Sequence, residues 1–214
     1  MTVIRSIIVL GIAVFGLAVP SHANLLQNGS FEFGTFVPDV NDSMSLSVGA
    51  TDMAGWTVVA NSLAWIGPSN PFGLSASEGS YFLDLSGYHD NAPYAGVTQT
   101  IPTTIGGQYQ LSLDIGTSPP YDSAPVSVLV TAGSASTTFT STPLNVNQWE
   151  TFTFDFIATS LSTSISLTGQ ASTDEKYIGL DNVSVVPIPE PGTFALFGGS
   201  GLLALVGWRR FRKA

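Results

Sequence analysis

The sequence predicts an all-β domain, a jelly-roll-like antiparallel sandwich, set between two segments that serve targeting. Three observations lead there. Between Asn24 and Val186 no long stretch keeps a 3.6-residue apolar period, while period-two alternation recurs between clusters of Gly, Pro, Asn and Ser. Charged residues make up only 10% of the chain, and Ser, Thr, Asn and Gly take over the polar role. Cysteine is absent, so the domain must be held by its core, and thiol catalysis and cysteine metal sites are excluded.

The clearest strand is Tyr109 to Ile115, with apolar residues at odd positions and polar ones between them. Thr151 to Phe156 carries three phenylalanines on one face, and Leu161, Thr163, Ile165 and Leu167 form a third alternating row. Val126–Val130 and Tyr81–Leu85 read as further strands. Rows with one apolar and one polar face call for antiparallel sheets packed face to face. Gly67–Pro71, Ile105–Gly107 and Ser118–Pro120 read as turns, and the weakly periodic segment Phe33–Met53 as a long surface loop. Near the end, Ile178 and Leu180 are apolar at even positions but Val183 and Val185 at odd ones, a phase change that predicts a bulge at Asp181–Asn182.

The termini differ from this domain. Residues 1–23 hold one cation, Arg5, an apolar run from Ile7 to Val19, and small residues at Ser21 and Ala23, the pattern of a secretory signal cut by signal peptidase after Ala23. Residues 187–214 begin with the extended Pro187-Ile188-Pro189-Glu190-Pro191, continue through the apolar Phe194–Trp208, and close on Arg209, Arg210, Arg212 and Lys213. Fifteen residues of helix span about 22 Å, short of a hydrocarbon core of about 30 Å. That length suits temporary retention in the inner membrane, with the basic end kept cytoplasmic and the β-domain outside.

Charge narrows the partners. Residues 24–190 carry one cation, Lys176, against fifteen carboxylates, a net of −14. Nucleic acid and anionic lipid are poor partners for such a surface, whereas neutral glycans and divalent cations are compatible with it. The acyl-transfer and metallohydrolase constellations are missing, since His89 is the only histidine after Ala23 and no Gly-x-Ser-x-Gly elbow occurs. The expectation is a module that is not an enzyme; the competing class is a glycan-active hydrolase using a carboxylate pair.

Pro189-Glu190-Pro191, the short apolar segment and the terminal arginines resemble the PEP-CTERM sorting signal of Gram-negative bacteria. That resemblance implies an exosortase that acts near the motif, and a place at the cell surface or in an exopolysaccharide or biofilm matrix. Within residues 24–186, Asn24–Glu32, Gly55–Val58, Glu78–Gly87, Val97–Thr100 and Gly179–Val185 resemble the galactose-binding-like sandwiches. The choice-of-anchor C type surface domains and a related plant cell-wall family are nearest. This second resemblance implies the first and last strands side by side, with a structural calcium ion held there by Glu32 and Asp181. Aromatic residues near polar ones are the usual platform for sugar rings. The loop residues Tyr88, His89, Asp90, Asn91 and Tyr94, with Tyr121 beside Pro119–Pro120, are the candidates for a polysaccharide contact, while Trp56 and Trp149 match core positions.

Overall fold

The computed structural model describes residues 23–87, 94–118, 125–142, 148–171 and 177–189. These form eleven strands in two antiparallel sheets: β1 Ser43–Leu46, β2 Thr57–Val59, β3 Leu63–Ile66, β4 Phe82–Asp84, β5 Gly96–Pro102, β6 Gln108–Gly116, β7 Val126–Ala132, β8 Ala135–Ser141, β9 Trp149–Ile157, β10 Ser162–Ala171 and β11 Gly179–Pro187. One sheet has six strands in the order β1-β3-β4-β11-β6-β9; the other has five, in the order β2-β5-β10-β7-β8. The non-sequential neighbours are what a jelly roll requires, and the predicted all-β sandwich is observed.

Alternation sets the layers. In β6, Leu111, Leu113 and Ile115 point inward; in β7, Val126, Val128 and Val130 do so, and in β10, Ile165 and Leu167. These rows meet Trp56, Trp65 and Phe31 in one core, where each large apolar side chain contributes about 1.5–3 kcal/mol by leaving water. A smaller cluster lies on the outer side of the six-stranded sheet. There Ala64, Ile66, Phe82 and Tyr177 are covered by Leu74 from the segment between β3 and β4.

Two sequence expectations change in detail and a third is met. Segment 33–53 is not all loop: it holds β1, which pairs with β3, and Gly34 bridges to Met53. Leu161 does not share the fate of its alternating row, because it lies on the turn before β10 and is 73% exposed while Thr163, Ile165 and Leu167 are buried. The phase change does mark a bulge, since the β11–β6 register shifts between Asp181 and Ser184 and Asn182 takes a φ of 50°. Asp181 faces outward by its alternation with Leu180, and the extra residue returns Val183 and Val185 to the core.

Candidate functional site

The two carboxylates singled out for a metal lie against one segment. Glu32 Oε1 accepts the backbone N–H groups of Ser80 and Tyr81, both at 2.8 Å. Asp181 Oδ2 accepts those of Ser77 and Glu78 at 2.8 and 2.9 Å, and its Oδ1 accepts that of Asn182 at 2.7 Å. First and last strand regions are thus joined through Ser77–Tyr81. Directly across from Asp181 on β6 stands Asp114, which accepts the Ser77 hydroxyl, the Thr151 hydroxyl at 2.6 Å and the Asn182 amide at 3.1 Å. Burial, reinforced by the Asp114 charge, pushes the Asp181 carboxyl up to about 7. Every Lys and Arg of the chain falls outside the described residues, so this acidic pair has no basic side chain among them.

The same segment is fastened upstream. Ser69 N–H donates to Asp42 Oδ2 at 2.7 Å, the Ser118 hydroxyl to Phe72 O at 2.5 Å, Gln148 Nε2 to Gly73 O at 2.7 Å and Trp149 Nε1 to Ser75 O at 2.8 Å. Residues 67–81 therefore form a strap laid across the outer face of the six-stranded sheet. Glu32 and Asp181 are of the residue type that a hard divalent cation takes, but Glu32 Oε1 and both Asp181 oxygens already accept backbone N–H groups. Among the described residues no group of three or more His, Cys, Asp or Glu side chains is arranged to hold a metal.

The aromatic candidates part company. Tyr88, His89, Asp90, Asn91 and Tyr121 lie outside the described residues, as do Glu190, Pro191 and Arg209–Lys213. Tyr94 is a correction: it is 3% exposed and packs in the main core, so its ring offers no surface to a sugar. The residue sits just before β5, out of phase with the inward Val97, and is buried because its Cβ packs beside Gly169 where Leu85 and Ile178 also meet. Trp56 is core, with Nε1 bonded to Asn28 O at 2.9 Å, and the half-buried Trp149 flanks Phe82.

The sequence reading passed over the outer face of the five-stranded sheet. One row across it runs Thr57, Thr98, Ser166, Thr131, Ser136, each pair in register on neighbouring strands. The next runs Val59, Gly96, Thr168, Leu129, Thr138. Thr100 pairs Ser164 on one side, and Gln170, Ser127 and Thr140 align on the other. None of these side chains is charged, in a domain whose net charge is strongly negative. A Cβ on Gly96 would lie 2.7 Å from Thr168 Oγ1 and 2.5 Å from Leu167 O, so only glycine lets β10 approach here. The signal was present in the sequence as the polar half of each alternating strand, but it reads as ordinary solvated face until the register aligns it.

Two sheets, a fastened strap and one neutral, hydroxyl-lined sheet face define a β-sandwich module. Residues 24–186 match the family described as a protein of unknown function, DUF642, and the chain belongs to that family. Residues 187–213 match the PEP-CTERM protein-sorting motif, which marks a chain for export and association with the cell surface. No curated protein matches the chain. Among solved structures, the chain is similar to an arabinose-bound α-L-arabinofuranosidase at 17% identity and a TM-score of 0.50, covering 78% of this chain and 26% of that one. It is also similar to a carbohydrate-binding module in complex with β-1,4-galactotriose, at 15% identity and a TM-score of 0.49, covering 78% of this chain and 99% of that one. At such identities the likeness concerns the fold.

Proposed function

We propose that this chain is an exported, non-catalytic module that binds a neutral polysaccharide at the cell surface, processed by an exosortase at its tail and retained in a polysaccharide matrix. The observation that carries the reading is the outer face of the five-stranded sheet. Uncharged hydroxyls in register lie beside two aliphatic side chains, Val59 on the edge strand β2 and Leu129 on β7 with β5 and β10 between them, on a domain otherwise rich in carboxylates. Sugar rings present apolar C–H faces and a rim of hydroxyls, so such a surface offers both kinds of partner and repels neither. The three buried carboxylates, Asp84, Asp114 and Asp181, accept hydrogen bonds from their own surroundings on the six-stranded sheet, away from that face.

A glycan array probed with the exported chain, followed by a reducing-sugar assay on each bound polymer, tests this. Retention without release of reducing ends is the expected result. Turnover that disappears on replacement of an Asp or Glu would install the hydrolase reading instead, and an array with no bound glycan would overturn both.

A further inference from the structure

Both chain ends of the domain leave it at the same place. Leu25 N–H donates to Val185 O at 2.9 Å, and Val183 N–H donates to Gly29 O at 2.9 Å, so the first residues run antiparallel to the end of β11. Residue 23 therefore points the same way as Pro187, and Ile188 N–H continues beside β6 by donating to Gln108 O at 2.8 Å. In sequence, the apolar run Ile7–Val19 is joined to one of these ends and Phe194–Trp208 to the other.

Two turns surround this exit. Gln108 pairs with Ile157, Gly106 N–H donates to Ala158 O at 2.8 Å, and Thr103 N–H donates to Leu161 O at 2.9 Å, so turns 102–107 and 157–162 form one continuous tip. The tip carries three exposed aliphatic side chains: Ile105 at 63%, Ile157 at 58% and Leu161 at 73%. Residues 23–26, 102–107, 157–162 and 187–189 contain no charged residue, in a domain of net −14 between residues 24 and 190. The other exposed aliphatics, Val37, Val40 and Val48, lie on the segment that also holds Asp39, Asp42 and Asp52, and no chain end leaves there.

We propose that this tip rests on the lipid bilayer while a hydrophobic terminal segment is still attached, with Ile105, Ile157 and Leu161 set into the headgroup boundary. Three observations converge on that occupant. Even fully extended, the stretch from Pro187 to Phe194 would reach only about 20 Å, so the tip stays close to any membrane the tail enters. Exposed aliphatic side chains gain by leaving water at an interface. An anionic leaflet repels carboxylates, and turns 102–107 and 157–162 carry none. Contact of this kind would end when the tail is cut, because three side chains are a weak anchor alone.

Because the chain has no cysteine, single probes are easily placed. Full-length chain with Ile105→Cys, Ile157→Cys, Leu161→Cys or Val40→Cys is labelled with an environment-sensitive fluorophore. Each variant is reconstituted in phosphatidylethanolamine–phosphatidylglycerol vesicles containing lipids that carry a quencher on the upper acyl chain. Labels at 105, 157 and 161 should be quenched severalfold more than the label at 40. Equal quenching at all four positions, none at the three tip positions, or quenching that requires an exosortase in the vesicle would overturn the proposal. Hydrogen exchange on the unlabelled chain guards against a misfolded variant: turns 102–107 and 157–162 should be slowed in vesicles relative to the exposed turn at 47–50. Equal exchange would count against it in the same way.

Discussion

Asp84 Oδ1 accepts the backbone N–H of Ile178, 94 residues further along the chain, at 3.0 Å, together with the N–H and hydroxyl of Ser86 at 3.0 and 2.7 Å. The bond lies where β11 begins to pair with β4, and Leu85 N–H reinforces it by donating to Ile178 O at 2.9 Å. Burial pushes the Asp84 carboxyl up to about 7, outweighing four hydrogen bonds, from the Ser86 hydroxyl and the Ser86, Ile178 and Gly87 backbone, that pull the other way. A buried carboxylate thus fixes the central strand pairing while paying for it in desolvation.

That cost should be visible as pH dependence. In the unfolded chain Asp84 titrates near 3.8, so between about pH 4 and 7 the folded state holds a proton that the unfolded state has lost. Stability from this group is fully present below the lower value and is lost as pH rises through the upper one. The expected contribution is a few kcal/mol, at roughly 1.4 kcal/mol per unit. Thermal melts of the wild type and Asp84→Asn from pH 4.5 to 8.5, at roughly the range in which the two protonation states exchange, should show the difference between them growing with pH. Parallel profiles would mean that Asp84 is ionised in the fold.

Tyr94 gives a contrasting test, since its position in the core predicts a stability effect where a loop platform would predict a binding effect. Tyr94→Ala should cost about 3 kcal/mol, within the range for truncating large buried aromatics. Affinity of the fraction that remains folded should be unchanged. An unaltered melting temperature would put the ring back on the surface.

How much could be read beforehand follows from where the information lies. The Tyr109–Ile115 and Phe152–Phe156 alternation is local, so strands and their inward faces were legible. The bulge at Asp181–Asn182 was legible too, because a phase change needs only its own neighbours. Pairing is not local: that Thr57, Thr98, Ser166, Thr131 and Ser136 lie side by side depends on five strands from across the domain. The same holds for the strap, whose clamps Asp42, Asp114, Glu32 and Asp181 span nearly the whole domain. Tyr94 reads as loop because it stands among Asn and Pro, while what buries it is non-local: its packing beside Gly169 of β10, with Leu85 and Ile178.

The hydroxyl face makes its own prediction. Thr131 and Ser166 point outward at its centre, so Thr131→Glu and Ser166→Glu should leave stability within about 0.5 kcal/mol, as surface changes do. A glycan bound across the face should lose at least about tenfold in affinity, or roughly 1.4 kcal/mol, when a charge replaces either hydroxyl. Isothermal titration with whichever polymer the array returns provides the measurement. Unchanged affinity in both variants would move the binding surface elsewhere on the domain.

The strap supplies the last prediction, because Glu32 and Asp181 together hold its C-terminal end, Ser77–Tyr81, and are also the pair through which calcium would act. Extracellular calcium sites often have dissociation constants of about 0.1 to 1 mM, so calcium at about 10 mM would add up to roughly 2.7 kcal/mol by mass action. In a domain of this size that corresponds to about 5 to 11 °C in melting temperature. Screening of the acidic surface acts for any divalent ion, which makes equal magnesium the required control. The expected result is a calcium shift well above the magnesium shift, abolished in Glu32→Gln and Asp181→Asn. Those variants should also melt lower in chelator, since each weakens the acceptor for two backbone N–H groups of the strap. The two effects separate cleanly: lower melting in chelator with equal shifts from both ions would assign Glu32 and Asp181 to the strap alone and leave no role for calcium.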